Sequence, residues 1–358
     1  MRPRVDRAWM EVDLDAVLRN ARAAQSRSGV PLIPMVKADA YGLGAENIAR
    51  ALEALEPCGY GIATVAEGRA LRSAGITRPL IVFSPLLFDE YPAARELQLI
   101  PTLGSATEIA HWCVDGGSWQ LSIDTGMSRA GVPWREIGAL TDLLERHSPT
   151  GAFTHFHSAE LNDGSMEEQE GRFRVAVAEL PARPPLLHTD ASAAIERHGR
   201  SEWDAIRPGI FLYGVGSGEG SSLEPEPVVH IRARVVEMRW IEPGDSVSYD
   251  ATWRAPSRRR IATIPMGYAD GYPRVLGNRG SALTRSGAVQ IVGVVTMDMI
   301  MLDVTDADCD VGDEVTLVGS GESESQITVA QLAGLAEMSP YELLTGLRAR
   351  LNRHYTGG

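Results

Sequence analysis

Cysteine is scarce in this chain of 358 residues: Cys58, Cys113 and Cys309 are its only thiols, odd in number and far apart. No Cys-x-x-Cys pair and no Cys/His spacing of a zinc site occurs, so no metal centre is expected. The three read as buried free thiols in a reducing compartment. Positive charge is also in deficit. The chain carries 34 Lys and Arg against 47 Asp and Glu, a net charge of −13. That balance excludes a general binder of nucleic acid, which needs a basic face. Long apolar runs are missing too. None approaches the ~20 residues that span a bilayer, so no membrane partner is expected. The opening Met-Arg-Pro-Arg-Val-Asp-Arg lacks the apolar core of a secretion signal, and the expected location is cytoplasmic. No internal repeat or low-complexity tract breaks the pattern.

What is present suits a globular protein of two domains. A hydrophobic fraction of 44% with 23% charged residues is ordinary for a packed fold, and 358 residues exceed the ~250–300 at which one core stops growing. Asp13 reads as the cap of a helix running through Arg22. Residues 32–36, 59–65, 80–83, 99–101, 120–123 and 151–155 read as strands, with helices over 45–55 and 67–74. Such alternation implies parallel strands joined by helices. About eight repeats over ~200–250 residues suit a (β/α)8 barrel, and a doubly wound sheet is the alternative that pattern alone leaves open. The Gly-, Ser- and Pro-rich stretch 217–227 reads as an exposed connector. Beyond it, 228–236, 260–265, 289–295, 299–304 and 314–319 read as strands, 328–336 and 340–350 as helices, and 321–325 as a solvated loop. The expected fold class is therefore α/β: a TIM-like barrel over 8–224, then a mostly β C-terminal domain over 225–358 with 1–7.

Lys37 ends the apolar run 32–36 and precedes the small-residue turn Ala-Asp-Ala-Tyr-Gly-Leu-Gly. A lysine with little polar company can lose its proton, and a neutral amine can form a Schiff base with an aldehyde. Most lysines after strands are structural or solvated. The peptide does not stand alone, however. Lys37-Ala-Asp-Ala-Tyr41-Gly-Leu-Gly44 resembles the cofactor-lysine motif of the alanine racemases, Lys-Ala-(Asn/Asp)-Ala-Tyr-Gly-His-Gly. Further segments match in the same order: Asp124-Thr-Gly-Met-Ser-Arg129-Ala-Gly131, Thr154-His155-Phe156, Arg207-Pro-Gly209-Ile-Phe-Leu-Tyr213-Gly214, Val247-Ser-Tyr249-Asp-Ala-Thr-Trp253, Gly267-Tyr268-Ala-Asp-Gly-Tyr272-Pro-Arg274 and Thr296-Met297-Asp298. The resemblance covers nearly the whole chain and favours the barrel over the doubly wound sheet.

It implies a racemase dependent on pyridoxal 5'-phosphate, acting on alanine or another small amino acid by two bases. Lys37 would hold the cofactor and serve one face of the substrate carbon. Tyr249, supplied by the other subunit of a homodimer with shared active sites, would serve the other. A phenol acts as a base near neutrality where neighbouring positive charge stabilises its anion, and His155 with Arg207 would supply that through a hydrogen-bonded chain. Tyr41, Ser192, Gly209 and Ile210 would hold the phosphate. Arg207 would face the ring nitrogen, and being always protonated it can only donate. Arg129 would reach the cofactor's phenolic oxygen and the substrate carboxylate, which the Met297 backbone would also hold, while Tyr268, Arg274 and Asp298 would line the entrance.

The match departs from the family at a few positions. Ser122 stands where many relatives have a lysine that can be carbamylated, Leu43 where the motif usually has His, Val294 where an entrance Arg is common, and Ala349 where a tyrosine is common. Ala191 replaces the usual Asn before Ser192. The smaller side chains at 294 and 349 suggest a roomier entrance, with serine as the first alternative substrate. A barrel-type amino-acid decarboxylase is the rival reading, and Arg207 counts against it.

Overall fold

Backbone hydrogen bonding decides where each strand ends up. The computed structural model describes residues 6–218, 221–321 and 325–358. The charged residues 1–5, the middle of the connector and residues 322–324 of the proposed solvated loop lie outside them. By its contacts the chain divides into two compact units, one of residues 17–40 and 44–226, the other of residues 1–16, 41–43 and 227–358.

The first unit is a parallel barrel. Strands Tyr60–Ile62, Leu80–Val82, Leu99–Leu103, Gln120–Asp124, Gly151–Phe153, Leu187–Ala191 and Ala205–Arg207 pair in chain order, each parallel to the next. Their short apolar runs are buried on both faces, as parallel strands under helices must be. Residues 32–36 occupy the eighth place: Leu32 bridges Ile206 on one side and Met35 bridges Gly61 on the other. This segment was expected to be a regular strand. Pro31 and Pro34 have no N–H to give, so it is tied by alternate bonds instead: Ile33 N–H to Ile206 O at 2.8 Å, Met35 N–H to Pro208 O at 2.9 Å and Gly61 N–H to Pro34 O at 2.9 Å. Ile33, Ile81 and Ala205 pack together inside.

Helix starts follow the side-chain caps. Asp13 Oδ1 accepts from Ala16 N–H at 2.9 Å, capping helix Leu14–Ser28. Thr64 and Ser105 cap Val65–Ser73 and Ala106–Cys113. The helix expected over 45–55 ends at Leu52 and tightens into a 3-10 turn, Glu53–Leu55.

The second unit is built on an antiparallel sheet in the order Glu237–Ile241, Arg259–Ile264, Ile300–Asp303, Gly287–Ile291, Ser281–Thr284, Glu314–Ser320, Val229–Arg234, Ala8–Asp13, Asn352–Thr356, with only the last pair parallel. Val229, Ile231 and Ala233 point inward while His230, Arg232 and Arg234 are half-buried, the alternation of a sheet with one covered face. Ala8–Asp13 pairs with Val229–Arg234 and Asn352–Thr356, and so belongs to this unit. The sequence reading starts the barrel at residue 8. Trp9, Met10 and Val12 are all buried, but nothing in their local sequence says which sheet the segment joins.

Candidate active site

Lys37 opens a turn that winds the wrong way. Ala38, Asp39, Ala40 and Tyr41 have φ of 51°, 55°, 52° and 58°, and Gly42 follows at 86°. Four consecutive L-residues in left-handed helix cost about 1–2 kcal/mol each, so about 4–8 kcal/mol together. Specific anchors offset this. Ala38 N–H donates to Glu67 Oε1 at 2.8 Å, Ala40 N–H to Val36 O at 2.8 Å, Gly44 N–H to Asp39 O at 2.8 Å and Ala45 N–H to Asp39 Oδ1 at 2.8 Å. Gly42 is required where it stands: a Cβ there would lie 2.6 Å from Leu344 O. The result is a fixed direction for the Lys37 side chain.

That side chain lines a cavity of about 270 Å³ at the C-terminal ends of the barrel strands, together with Ser122, Asp124, Arg129, Phe153, Thr154 and His155. Such a position is where barrel enzymes place their chemistry. The volume is near the lower edge of the ~300–1,000 Å³ of small-molecule sites. Burial lowers the Lys37 pKa, and the positive charges of Arg129 and Arg207 lower it further against the opposing pull of Glu67. Lys37 is also the sole lysine of the chain, the other 33 of its 34 basic residues being arginines. The sequence reading passed over that count, which is a direct signal.

Arg207 is the electrostatic centre. It is only 3% exposed. Nη1 donates to His188 Nδ1 at 2.7 Å and His188 O at 2.8 Å, and Nη2 to Thr154 O at 2.8 Å, Thr189 O at 2.9 Å and His155 Nδ1 at 3.4 Å. Its guanidinium also sits 5.3 Å from the Phe153 ring centre and 5.7 Å from that of Phe83. Accepting from Arg207 at Nδ1 places the His188 proton on Nε2, which faces Gln120 Oε1 at 2.8 Å. Burial and the Arg207 charge push His188 well below the usual histidine value. His155 is held down to about 3 by burial and by Arg207, Arg129 and Lys37. Burial also brings Arg207 itself down to about 10, with Asp190 opposing. The Arg207 Nε–H has no acceptor among the described residues. Arg129 rides on a loop fixed by Asp124, whose Oδ1 accepts from Gly126 N–H at 2.9 Å and Ser128 N–H at 3.1 Å.

Of the residues expected to hold a phosphate, Ser192 and Gly209 are joined directly, with one change of role. Ser192 Oγ accepts from Gly209 N–H at 2.9 Å and Phe211 N–H at 3.3 Å. Gly209 therefore spends its N–H on Ser192, whose hydroxyl is oriented by those two bonds, while the Ile210 N–H has no acceptor among the described residues. Tyr41 is buried, its ring 5.8 Å from that of Tyr341, and burial, with Tyr341 adding, raises its pKa.

Tyr249, Tyr268, Met297 and Asp298 cluster in the second unit. Tyr249 sits in the turn Tyr249–Ala251, between Ser248 at φ 68° and Asp250 at φ 62°, with Ala251 at φ 46°. Ser248 Oγ donates to Val294 O at 2.7 Å. Tyr268 N–H donates to Thr296 O at 3.1 Å and Ala269 N–H to Met297 O at 3.0 Å. Only glycine fits at 267, where a Cβ would lie 2.2 Å from Thr296 O. The sequence reading missed the clasp behind these loops. Arg350 Nε and Nη2 donate to Asp270 at 2.6 and 2.8 Å, and its Nη1 to Asp298 Oδ1 at 2.7 Å. Arg274 is exposed. Among the described residues no group of three or more His, Cys, Asp or Glu could hold a metal ion.

Comparison with known proteins fits this architecture. The profile of the alanine racemase N-terminal domain matches residues 12–217 and that of the alanine racemase C-terminal domain residues 228–355. The alanine racemase of Citrifermentans bemidjiense is 36% identical over 97% of this chain and 98% of its own, and that of Symbiobacterium thermophilum 36% identical over 100% and 98%. Among solved structures, alanine racemase from E. faecalis superposes with a TM-score of 0.92 at 28% identity, covering 98% of each chain. The Bartonella henselae alanine racemase, which carries covalently bound pyridoxal phosphate, gives 0.89 at 28% identity over 98% of this chain and 100% of that one. The chain belongs to the alanine racemase family and is an amino-acid racemase.

Proposed function

We propose that the chain interconverts the L and D forms of a small amino acid, alanine first, with pyridoxal 5'-phosphate on Lys37 and with Tyr249 of a second copy as the other base. The observation that carries this reading is Lys37: a lone lysine with a depressed pKa, aimed by a strained turn into a cavity shared with Arg129 and His155. The donor set fits the cofactor. A neutral amine suits its aldehyde, Ser192 and the Ile210 N–H suit its phosphate, and the spare Arg207 Nε–H suits an unprotonated ring nitrogen. When bound, the cofactor supplies an electron sink for the charge left as the α-proton departs. Lys37 moves that proton on one face of the α-carbon, and Tyr249 on the opposite face. Arg129 and the Met297 N–H orient the substrate carboxylate. Arg207, always protonated, keeps the electron sink weak, which favours return of the proton to the same carbon.

Dimerisation is supported by the exposed apolar side chains grouped on the second unit. Tyr249 is 68% exposed, Met297 52%, Met299 45% and Val275 43%, and patches of this kind mark interaction surfaces. The small Val294 and Ala349 support a second reading, tolerance of side chains beyond methyl. One experiment tests both. L-amino acids from alanine and serine upward are incubated with the protein and the products resolved by chirality. An absorbance band near 420 nm and a borohydride-fixed label on Lys37 report the cofactor. D-alanine with the label on Lys37 is the expected result. No D-product from any substrate, or a cofactor not attached to Lys37, overturns the proposal.

A further inference from the structure

We propose that Glu67 is the positioning residue for Lys37, its carboxylate clamping the left-handed turn of the lysine to the neighbouring strand end so that the amine stays in the cavity. This rests on the reading of Lys37 as the cofactor-bearing amine. Both carboxylate oxygens are committed. Oε1 accepts from Ala38 N–H at 2.8 Å and Oε2 from Ala63 N–H at 2.7 Å. Ala38 is the residue after Lys37, and Ala63, just beyond strand Tyr60–Ile62, lines the same cavity. Glu67 therefore joins two walls of the site.

An ordinary capping-box Glu turns back onto its own N-cap N–H. Here Thr64 caps in the usual way, its Oγ1 accepting from Glu67 N–H at 3.2 Å, while the carboxylate reaches past the cap to two other segments. The first turn of helix Val65–Ser73 suits a carboxylate, so the clamp sits where its charge is favoured. The groups around the Lys37 amine are Arg129, Arg207 and His155 from the barrel loops and strands, Asp124, and Glu67 itself. Glu67 thus acts twice, with opposite sign: its bonds keep the amine buried, the largest cause of the lowered pKa, and its charge tempers the two arginines by a smaller amount.

The test uses the full-length chain stripped of cofactor with hydroxylamine. The pH dependence of acetylation by acetic anhydride is read at Lys37 by peptide mass spectrometry, with no other ε-amine to interfere. In Glu67→Ala the lost carboxylate charge alone would lower the acetylation midpoint, but release of the amine from burial, the larger influence, outweighs it, so the midpoint is expected to rise by about one pH unit or more toward the ~10.4 of a free lysine. The pyridoxal phosphate concentration giving half of the 420 nm band is expected to rise at least about tenfold. A midpoint and cofactor affinity equal to those of the unaltered chain would overturn the proposal. Thr64→Ala, which weakens the same helix but leaves the clamp, is expected to lower Tm without moving the midpoint, and a shift matching that of Glu67→Ala would also overturn it. Should Glu67→Ala not fold, Glu67→Gln keeps one acceptor and loses the other, and at least a threefold weakening of cofactor binding is expected, no change again being fatal. Failure of the unaltered chain to take up cofactor on Lys37 would sink the functional reading alone, because the acetylation comparison still judges Glu67.

Discussion

The two groups of candidate residues differ in how they are held. In the barrel unit the chemistry lies behind walls: Arg207 is 3% exposed and His188 0%, and burial together with like charge shifts Lys37, His155 and His188 downward. In the second unit the groups stand open, Tyr249 at 68% exposure and Met297 at 52%. Yet both rest on left-handed backbone at non-glycine residues, 38–40 in one and 41, 248, 250 and 251 in the other. Strain of this sort persists only where surroundings over-determine it. At 38–40 the anchors are Glu67, Val36 and Asp39. The second unit supplies a clasp, Arg350 with Asp270 and Asp298, and leaves Tyr249 and Met297 exposed. One cluster is buried; the other, equally constrained in its backbone, stands exposed.

The contrast can be broken most severely at Lys37. Lys37→Ala is expected to lower kcat/KM by about 10⁴-fold or more, since both the covalent anchor and a proton-transfer base are lost. Circular dichroism should remain that of the parent. Retention of more than a hundredth of the activity would mean that the barrel cluster is not the seat of the reaction. Tyr249→Phe is expected to cost about 10²–10³-fold, the range for one general acid–base group. The loss in kcat/KM must be equal in the two directions, because enantiomers have an equilibrium constant of one. With α-deuterated substrates, however, the isotope effect should become direction-dependent. An isotope effect unchanged from the parent would remove Tyr249 from the chemistry.

Mixing these two inactive variants sharpens the same contrast. In a symmetric dimer whose sites are shared, a hybrid of Lys37→Ala and Tyr249→Phe copies has one site with both residues intact. After free exchange the mixture should regain about a quarter of the parent activity, half the dimers being hybrid with half their sites working. No recovery, with hybrids demonstrated by mass, would place both residues of each site in the same copy.

How much of this was readable beforehand depends on which force shapes each element. The barrel rhythm, the β-rich second unit and the cap at Asp13 are written in apolar period and side-chain chemistry, which act locally. The clamp by Glu67 was half-legible: Thr64-Val-Ala-Glu67 is a capping-box pattern, but nothing local says that the carboxylate passes over its own cap. The left-handed turn at 38–41 was not legible, because Ala-Asp-Ala-Tyr favours right-handed helix and only tertiary anchors reverse it. The sheet joined by Ala8–Asp13 was hidden for a related reason, since its partners lie more than 200 residues away. Roles for His188, Asp270 and Arg350 were likewise absent, each being defined by a partner distant in sequence.

The smallest expected effect probes the buried side of the contrast through pH. His188 gives its Nδ1 to Arg207 and its Nε2 proton to Gln120, so a second proton has no place to go in the folded chain. Its folded pKa, like that of His155 at about 3, lies below the ~6.5 of the unfolded state. As pH falls below that unfolded value, the unfolded chain binds protons that the folded one refuses, and stability must fall with pH. Each histidine contributes about 1 kcal/mol of loss between pH 6.5 and 5.5, so the pair contributes about 2 kcal/mol in the cofactor-free protein. Urea unfolding at the two pH values measures it. A stability that does not change would mean that both rings accept a proton in place, which the Arg207 guanidinium, donating to each of them at once, forbids.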